Sequence, residues 1–486
     1  MSLFIKKPLA QLMAQGDDSE KGLKRTLGAG NLVALGIGAI IGAGLFVRTA
    51  AAAGEAAGPA VIISYIIAAI ACAFAGLCYA EFASMIPVAG SAYTYAYVTL
   101  GEFLAWIIAW ALVLEYALAA ATVSIAWSEY LNNLLVSFDI GAIPYQWCHS
   151  PMEVSMGGVR GIVNFPAISI LLILTLVLIK GTKESALVNA IIVFVKVGIV
   201  LLFIFVGWQF IKPENYHPFL IPIETAGHES FNKHGWGGVL GGSAIVFFAF
   251  IGFDAVSTAA QEAKNPKRDM PIGILGSLII CTILYILFSR VLTGVANWEE
   301  FKTVGKEASV AYAIQNYMHG YGWLANLVTV AILAGFSSVI LVMLMGQSRV
   351  FYTMSKDGLI PKIFSDLHPV YRTPHKSNII LFVFVGVFAG FIPGEMAGDL
   401  TSIGTLFAFV MVCAGIWVMR VRNPEAVRPF RTPFVPLVPF LGITICVGMI
   451  FSLPKNTLIA AGAWMILGLI VYFSYSKRNS YLRNNK

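Results

Sequence analysis

The sequence contains few charged residues for its length. Of its 486 residues, 12% are Asp, Glu, Lys or Arg, whereas about 25% is usual for a soluble protein. Hydrophobic residues make up 58% of the chain, and the mean hydropathy is +0.80. A soluble fold cannot bury so large an apolar fraction. The composition therefore excludes a soluble protein and predicts a membrane protein.

Residues that bind metals and cofactors are scarce and scattered. The six cysteines show no paired spacing, and the seven histidines, from His149 to His375, fall outside the apolar blocks. The sequence also lacks a nucleophile elbow and a phosphate-binding loop. We predict no metal site, no cofactor and no enzymatic activity. A membrane sensor that transports nothing is the alternative from another class, although no polar block is long enough for a signalling module.

Apolar residues occur instead in long blocks along the whole chain. A helix needs about 20 such residues to cross the hydrocarbon layer of a bilayer. The sequence thus predicts an all-α membrane protein with twelve transmembrane helices. These spans lie near residues 31–54, 60–84, 100–133, 166–179, 187–210, 241–261, 271–294, 323–353, 377–393, 400–419, 436–453 and 457–475.

Basic residues are distributed unevenly between the two sides of these spans. If the N-terminus is cytoplasmic, most of the 32 Lys and Arg residues face the cytoplasm. The opposite side holds only Arg160, Lys212, Lys233, Lys302, Lys306 and Lys455. This asymmetry follows the positive-inside rule and predicts a multi-pass protein of the cell membrane with cytoplasmic N- and C-termini. The net charge of +7 thus indicates topology and not nucleic-acid binding. The polar segment 1–30 shows no cleavable signal peptide.

The first and sixth spans are poorly suited to continuous helices. Gly36, Gly38, Gly42 and Gly44 lie close together in the first span, and each costs about 1 kcal/mol relative to alanine in a helix. Close packing against a neighbouring helix is the alternative explanation for them. Gly252 interrupts the sixth span among aromatic residues. Paired interruptions five helices apart indicate a midplane binding site in an inverted-repeat transporter. Exposed helix ends would suit the carboxylate and ammonium of an amino acid.

Five stretches occur in a familiar order along nearly the whole chain. They are residues 36–46, 79–97, 261–271, 347–358 and 428–433, the last reading RPFRTP. With them the chain resembles bacterial amino acid permeases of the amino acid–polyamine–organocation (APC) superfamily, and within it the cationic amino acid transporter family.

The resemblance implies a LeuT-like fold, with five-plus-five inverted repeats, two additional helices, and helices 1 and 6 broken at the midplane. It divides the chain into an N-terminal tail, a single transporter domain with two repeats and two extra helices, and a C-terminal tail. The corresponding ranges are 1–30 for the first tail, 31–476 for the domain, about 31–210 and 241–420 for the repeats, about 436–475 for the extra helices, and 477–486 for the second tail.

The same resemblance implies the residues that bind substrate. Backbone amides of Gly42, Ala43 and Gly44 would hold its carboxylate. Carbonyls would hold its amino group, with Phe248 also closing over the substrate as an aromatic lid. These carbonyls belong to Ile40, Phe248, Ala249 and Ile251. Many relatives carry Ser or Thr at the position of Ala43, so one hydroxyl contact is missing here.

Three further polar residues within the spans, Glu115, Ser338 and Lys196, are candidate functional residues. Glu115 lies in mid-span, where a carboxylate is costly and indicates function. It would attract a basic substrate side chain or serve the proton, and structural pairing with Arg290 or Arg48 is the alternative. By resemblance Ser338 faces the substrate region, where it is smaller than the apolar residue of some bacterial relatives and would leave room for a long side chain, with ordinary helix packing as the alternative. Glu81, Asp254 and Glu262 are interpreted as inner-gate or loop-anchoring charges.

Lys196 is the third of these residues. By resemblance it occupies the position of the sodium site that related transporters keep between their first, fifth and eighth helices. Burial disfavours the charged form of a lysine, so Lys196 would load and release a proton. A fixed cation that braces the first helix is the alternative.

Together these features predict proton-coupled import of L-amino acids by alternating access, with arginine, lysine and ornithine favoured. A neutral or broad-specificity permease is the first alternative, an amino acid exchanger the second, and polyamine transport stays open. The predicted partners are the amino acid substrate, protons and the lipid bilayer. A small accessory membrane subunit is a further candidate.

Overall fold

The computed structural model describes residues 4–8, 27–86, 91–155, 157–180, 186–222, 231–260, 263–303, 309–371 and 373–484. Within these ranges the fold is helical, and β-structure is limited to the isolated bridges Leu27–Ala263 and Val154–Arg160. Glu262, one of the expected gate charges, lies outside the described residues. Eight helical stretches of the described chain are long and apolar enough to cross a membrane, and four shorter apolar helices accompany them.

The helical segments match the predicted spans in order, and we number them span 1 to span 12. Span 1 consists of Ala29–Ile40, Ala43–Phe46, Arg48–Ala52 and Ala53–Ala57. Span 6 consists of Gly235–Val246, Phe247–Phe250 and Ala255–Thr258. The others are Val61–Met85, Glu102–Ser137, Phe165–Lys180, Ala186–Gly207, Pro266–Val295, Gly322–Lys356, His375–Phe391, Gly394–Arg422, Leu437–Ser452 and Lys455–Val471.

Both predicted helix interruptions are present. In span 1 the helix ends at Ile40, Ile41 and Gly42 are extended, and a new helix begins at Ala43. In span 6 a 3₁₀ turn ends at Phe250. Gly252 then has φ +116°, a backbone conformation that is open mainly to glycine. The glycines therefore interrupt both helices, as their cost within a helix predicts.

Spans 1 and 6 cross at the interruptions with almost no space between their backbones. A Cβ atom added to Gly44 would lie 2.2 Å from the Ala249 Cα atom, and one added to Gly252 would lie 2.9 Å from the Ala39 carbonyl carbon. The small-residue packing explanation is thus also correct for this stretch, because the same glycines that end the helices allow the two chains to touch.

Helix contacts follow a regular pairing. Span 1 packs against spans 5 and 7, and span 6 packs against spans 10 and 2. Span 3 packs against span 10, as span 8 does against span 5. Spans 2 and 7, 3 and 8, and 4 and 9 also contact each other. The same set of contacts is therefore reproduced when each of spans 1 to 5 is exchanged with the span five places further along the chain.

Both ends of the chain dock on one face of the helix bundle, which we call the terminal face. Lys7 forms an ion pair with Asp357 at 2.9 Å, and the Tyr481 amide donates to the Asp357 carbonyl oxygen at 3.1 Å. Arg483 lies 2.5 Å from the buried Glu102 carboxylate. The described part of the predicted C-terminal tail, residues 477–484, is helical over Lys477–Asn479 and Tyr481–Asn484, and the Arg483–Glu102 ion pair anchors it to the bundle.

Replacing Gly44 with alanine tests the close crossing of spans 1 and 6. The added methyl group overlaps the Ala249 backbone, and such overpacking costs about 1–3 kcal/mol. We expect Gly44→Ala to lower the thermal unfolding temperature of the purified protein in detergent. Gly198→Ala is the matched control, because a Cβ atom there meets nothing within 4 Å and alanine favours the helix. Equal unfolding temperatures for the two variants would contradict the crossing.

Candidate functional site

A small cavity lies where the interrupted helices meet. Spans 1 and 6 provide Ile40, Gly42, Ala43, Gly44, Phe248 and Ile251, together with Ala39. Span 3 adds Ala119 and Val123, and span 8 adds Val339 and Met343. The cavity has a free volume of about 10 Å³, close to what one water molecule needs. Every lining side chain is apolar.

Backbone groups are the polar atoms at this cavity. The amides of Ala43 and Gly44 open a helix, and the first amides of a helix have no partner within it. The Ile40 carbonyl lies at the end of the preceding helix, where carbonyls also lack intrahelical partners. The predicted substrate residues Ile40, Gly42, Ala43, Gly44, Phe248 and Ile251 are therefore brought together by the fold.

Tyr285 of span 7 joins the two interrupted helices. Its hydroxyl lies 3.0 Å from the Ile40 carbonyl oxygen and 2.8 Å from the Ala249 carbonyl oxygen, so it can donate to either. These are two of the carbonyls predicted to bind the substrate amino group. Tyr285 was not among the residues predicted from the sequence. A buried tyrosine in mid-span needs a hydrogen-bond partner, and this requirement could have indicated that Tyr285 contacts an interrupted helix.

Ser338 does not line the cavity. Its hydroxyl donates to the Gly335 carbonyl within span 8, and the next residue, Val339, faces Gly42 instead. The resemblance predicted Ser338 in the wall of the cavity, but the rotation of span 8 presents Val339 there. The role of Ser338 stays a prediction.

Lys196 of span 5 is buried against span 1. Its ammonium donates to the carbonyl oxygens of Gly38 at 2.9 Å and Ile41 at 3.2 Å. Its side chain also packs on Gly335 of span 8. The lysine thus lies between spans 1, 5 and 8, as the resemblance implied, and binds the carbonyls beside the interruption of span 1.

Glu115 is fully buried but lies away from the cavity lining. It packs against Gly404 of span 10. The structural pairing considered for it is not formed, because Arg48 pairs with Asp399 and Arg290 lies 5.5 Å from the Trp208 ring. The hydroxyl of the next residue, Tyr116, donates to the carboxylate of Asp254 at 3.0 Å.

A second, larger cavity opens on the side of the bundle opposite the terminal face. It has a volume of about 430 Å³ and shares Ala43 with the small cavity. Arg48 lies on its wall and forms a buried ion pair with Asp399 of span 10. On the terminal face, Glu81 is paired with Arg420 at 2.9 Å, and its role as a gate or anchoring charge stays a prediction.

Comparison with known proteins identifies the family. The family model described as amino acid permease matches residues 27–475. The chain belongs to the amino acid permease family. It is accordingly a multi-pass membrane transporter of the APC superfamily and not an enzyme.

Relatives of the permease differ in the substrates that their names give. The permease is 42% identical over 486 residues to the branched-chain amino acid permease BcaP of Bacillus subtilis (strain 168), with 99% of each chain covered. It is also 42% identical over 481 residues to the methylthioribose transporter of that organism, again with 99% of each chain covered. The vacuolar cationic amino acid transporter 4 of Arabidopsis thaliana is 34% identical over 426 residues, which cover 88% of the permease and 68% of that transporter. These names favour the neutral or broad-specificity alternative over the predicted cationic preference.

Removing the Tyr285 hydroxyl tests its bridge between the interrupted helices. A buried carbonyl left without its donor costs about 1–3 kcal/mol. We expect Tyr285→Phe to lower the thermal unfolding temperature of the permease in detergent. Tyr481→Phe, at a ring that is 39% exposed, should leave it unchanged. If Tyr285→Phe unfolds at the same temperature as the wild type and Tyr481→Phe, the Tyr285 bridge does not contribute to stability.

Proposed function

We propose that the permease imports neutral amino acids with apolar side chains, in symport with protons. The observation that carries this proposal is the wholly apolar lining of the small cavity, where Val123, Phe248, Val339 and Met343 surround the interrupted helices. A basic side chain would be desolvated there without a counter-charge, which is costly. Glu115, the carboxylate expected to attract such a side chain, does not belong to the lining.

The substrate head group would bind to the backbone. Its carboxylate would accept hydrogen bonds from the amides of Gly42, Ala43 and Gly44, and its ammonium would donate to the carbonyls of Ile40 and Ala249. The ammonium would then replace or join the Tyr285 hydroxyl, because a carbonyl oxygen has two lone pairs. The cavity would have to widen by movement of span 1 or span 6 to admit an amino acid.

Transport of methylthioribose is a second candidate, because the relative of that name is as similar to the permease as the branched-chain relative. Methylthioribose has neither a carboxylate nor an ammonium group, so the backbone groups at the interruptions favour an amino acid. Exchange of one amino acid for another would use the same site.

The proposed architecture has twelve transmembrane spans. The contacts that recur five helices apart, with interruptions in spans 1 and 6, support two inverted repeats near 31–210 and 241–420, followed by two extra helices. The terminal face would be cytoplasmic, as the positive-inside rule requires.

Alternating access would then use the ion pairs at either end of the substrate path. Arg48 lies on the wall of the larger cavity, and its ion pair with Asp399 would act as the outer gate. The Lys7–Asp357 pair connects the N-terminal segment to the end of span 8 and would act as the gate on the cytoplasmic side. Both join elements that must separate when the corresponding side opens.

Lys196 would couple this cycle to the proton gradient. Protonated, it holds the carbonyls of Gly38 and Ile41 and therefore braces the inner half of span 1. A neutral lysine donates more weakly and would release span 1. Proton loss would thus favour inward opening.

Uptake into proteoliposomes tests which substrate the permease transports. We expect labelled leucine to enter faster when an inward proton gradient is imposed, and unlabelled isoleucine and valine to compete with it because all three fit an apolar cavity. Excess arginine or methylthioribose should compete weakly. Preferential uptake of arginine would restore the cationic assignment, and preferential uptake of methylthioribose would replace the amino acid.

Replacing Lys196 tests proton coupling. Lys196→Ala should abolish the stimulation of leucine uptake by a proton gradient, because the only ammonium on the Gly38 and Ile41 carbonyls among the described residues is removed. Exchange of labelled for unlabelled leucine, which needs no net proton movement, verifies that the variant is folded. Lys455→Ala, at an exposed helix start, is the control. An unaltered response to the gradient in Lys196→Ala would refute this role.

A further inference from the structure

The end of the chain folds back onto the terminal face and contacts the start of span 3. The Ser480 hydroxyl and the Arg483 guanidinium each donate to the Glu102 carboxylate at 2.5 Å. Arg483 also donates to the Tyr472 hydroxyl at 3.1 Å, and that hydroxyl donates to Glu102 at 3.1 Å. All four side chains are buried. Hydrogen bonds to a charged group are stronger than neutral ones, so these contacts fix the last helix, Tyr481–Asn484, to span 3.

The same part of the chain, residues 479–484, contacts the end of span 8, and we call it the C-terminal segment. The Tyr481 amide donates to the Asp357 carbonyl oxygen at 3.1 Å. A Cβ atom added to Gly358 would lie 2.4 Å from the Asn479 carbonyl oxygen, and Gly358 has φ +78°. A side chain at Gly358 would therefore be strained and would collide with the C-terminal segment. The segment thus joins span 3 to span 8.

The helix Ser91–Thr99, which connects spans 2 and 3, is held by the same two acidic residues. Tyr93 of this connecting helix donates to the Asp357 carboxylate at 2.7 Å, and Tyr97 donates to the Glu102 carboxylate at 3.0 Å. The two tyrosines are buried and lie four residues apart, so they project from one face of the helix. Each carboxylate residue therefore contacts both the connecting helix and the C-terminal segment.

The connecting helix packs under the inner end of span 6. It contacts the last helix of that span, Ala255–Thr258, and also span 10. Its Tyr95 ring stacks on Phe82 of span 2 at a centroid distance of 5.0 Å and meets the Tyr79 ring edge-on at 6.4 Å. Span 6 also lines the small cavity. In the proposed cycle, its inner end can move away from span 3 only if the connecting helix moves as well.

The N-terminal segment binds at the same place. Lys7 pairs with Asp357 at 2.9 Å, and its amide donates to the Tyr97 carbonyl oxygen at 3.3 Å. The Glu102 amide donates to the Ile5 carbonyl oxygen at 2.9 Å. Both ends of the chain therefore meet at Glu102 and Asp357, on either side of the connecting helix.

We propose that the C-terminal segment is an autoinhibitory latch, which holds the connecting helix against span 6 and so restrains opening of the permease toward the terminal face. Detachment of the segment from Glu102 and Asp357 leaves these residues free to move with the connecting helix, and the inner side then opens more often. The proposal rests on the alternating access of the proposed function and does not depend on which substrate is carried.

A purely structural anchor for the chain end is the less suitable role. Both charges of a buried ion pair lose their water, so the Arg483–Glu102 pair is a poor source of net stability. The Tyr481 ring is 39% exposed, and a short terminal segment detaches more easily than a core helix. Contacts that fix position at little gain in stability suit an element that attaches and detaches.

Thiol labelling of the purified permease in detergent tests the latch. Ser257→Cys places a thiol in the last helix of span 6, at a buried position, where a water-soluble maleimide reaches it when the inner side opens. Adding Arg483→Gln and Glu102→Gln together removes the ion pair without leaving an unpaired buried charge. We expect labelling about tenfold faster, which corresponds to about 1.4 kcal/mol in the opening equilibrium. Equal rates with and without the ion pair would overturn the proposal.

Arg478→Gln is the matched control, because Arg478 is an exposed arginine at the same end of the chain. It should label at the rate of the wild-type background. The six native cysteines are buried, so their slow labelling verifies that a variant is folded. Ser480→Ala removes one hydrogen bond to Glu102 and leaves the ion pair in place, so it should accelerate labelling by a smaller factor. If the double variant also labels at its native cysteines, Ser480→Ala decides, and no acceleration there would overturn the latch.

Labelling requires no substrate, so its outcome is separate from that of the uptake assay. A wild type that does not carry leucine would refute the proposed substrate and leave the labelling result unchanged. For whichever amino acid is carried, the internal concentration that half-saturates efflux should fall in Ser480→Ala, because apparent affinity rises with the population of the binding-competent state. A concentration that does not fall would contradict the latch.

Discussion

The need to satisfy backbone hydrogen bonds inside a bilayer governs this structure. Lipid offers no partner to a free amide or carbonyl, so an interrupted helix is tolerated only where protein groups or a ligand complete it. Span 1 has such partners in Lys196, which binds the Gly38 and Ile41 carbonyls, and in Tyr285, which binds Ile40. The amides of Ala43 and Gly44 open the next helix and have no partner within it. In the proposed function, these unpaired backbone groups bind the zwitterionic head group of the substrate.

Buried charges divide into two classes. Most are paired with a charge from a distant part of the chain, as Arg48 is with Asp399 and Glu102 with Arg483. Such pairs join distant elements of the chain, and their desolvation makes them poor sources of net stability. Lys196, Glu115 and Asp254 have no ion pair among the described residues. A buried group without a counter-charge is most easily kept neutral by a change of protonation, and this is the physical basis of the proton coupling proposed for Lys196.

Substrate selectivity separates from head-group recognition in this arrangement. Backbone atoms would bind what all amino acids share, so mutation of side chains changes that part little. Side chains such as Val339 and Met343 form the remaining wall and would decide which amino acid fits. Relatives of similar architecture can therefore differ in substrate, as the names of the branched-chain, methylthioribose and cationic relatives indicate.

The class of protein and its two helix interruptions could be predicted from the sequence, because hydropathy and glycine content act locally along the chain. Spans, the discontinuities at Gly42 and Gly252 and the burial of Lys196 all follow from such local properties. Which faces of the helices meet depends on the packing of the whole bundle. The rotation of span 8 places Val339 and not Ser338 at the cavity, and packing of span 3 against span 10 turns Glu115 away from it. Periodicity cannot supply these rotations, since a span apolar on every side has no face that marks its neighbour.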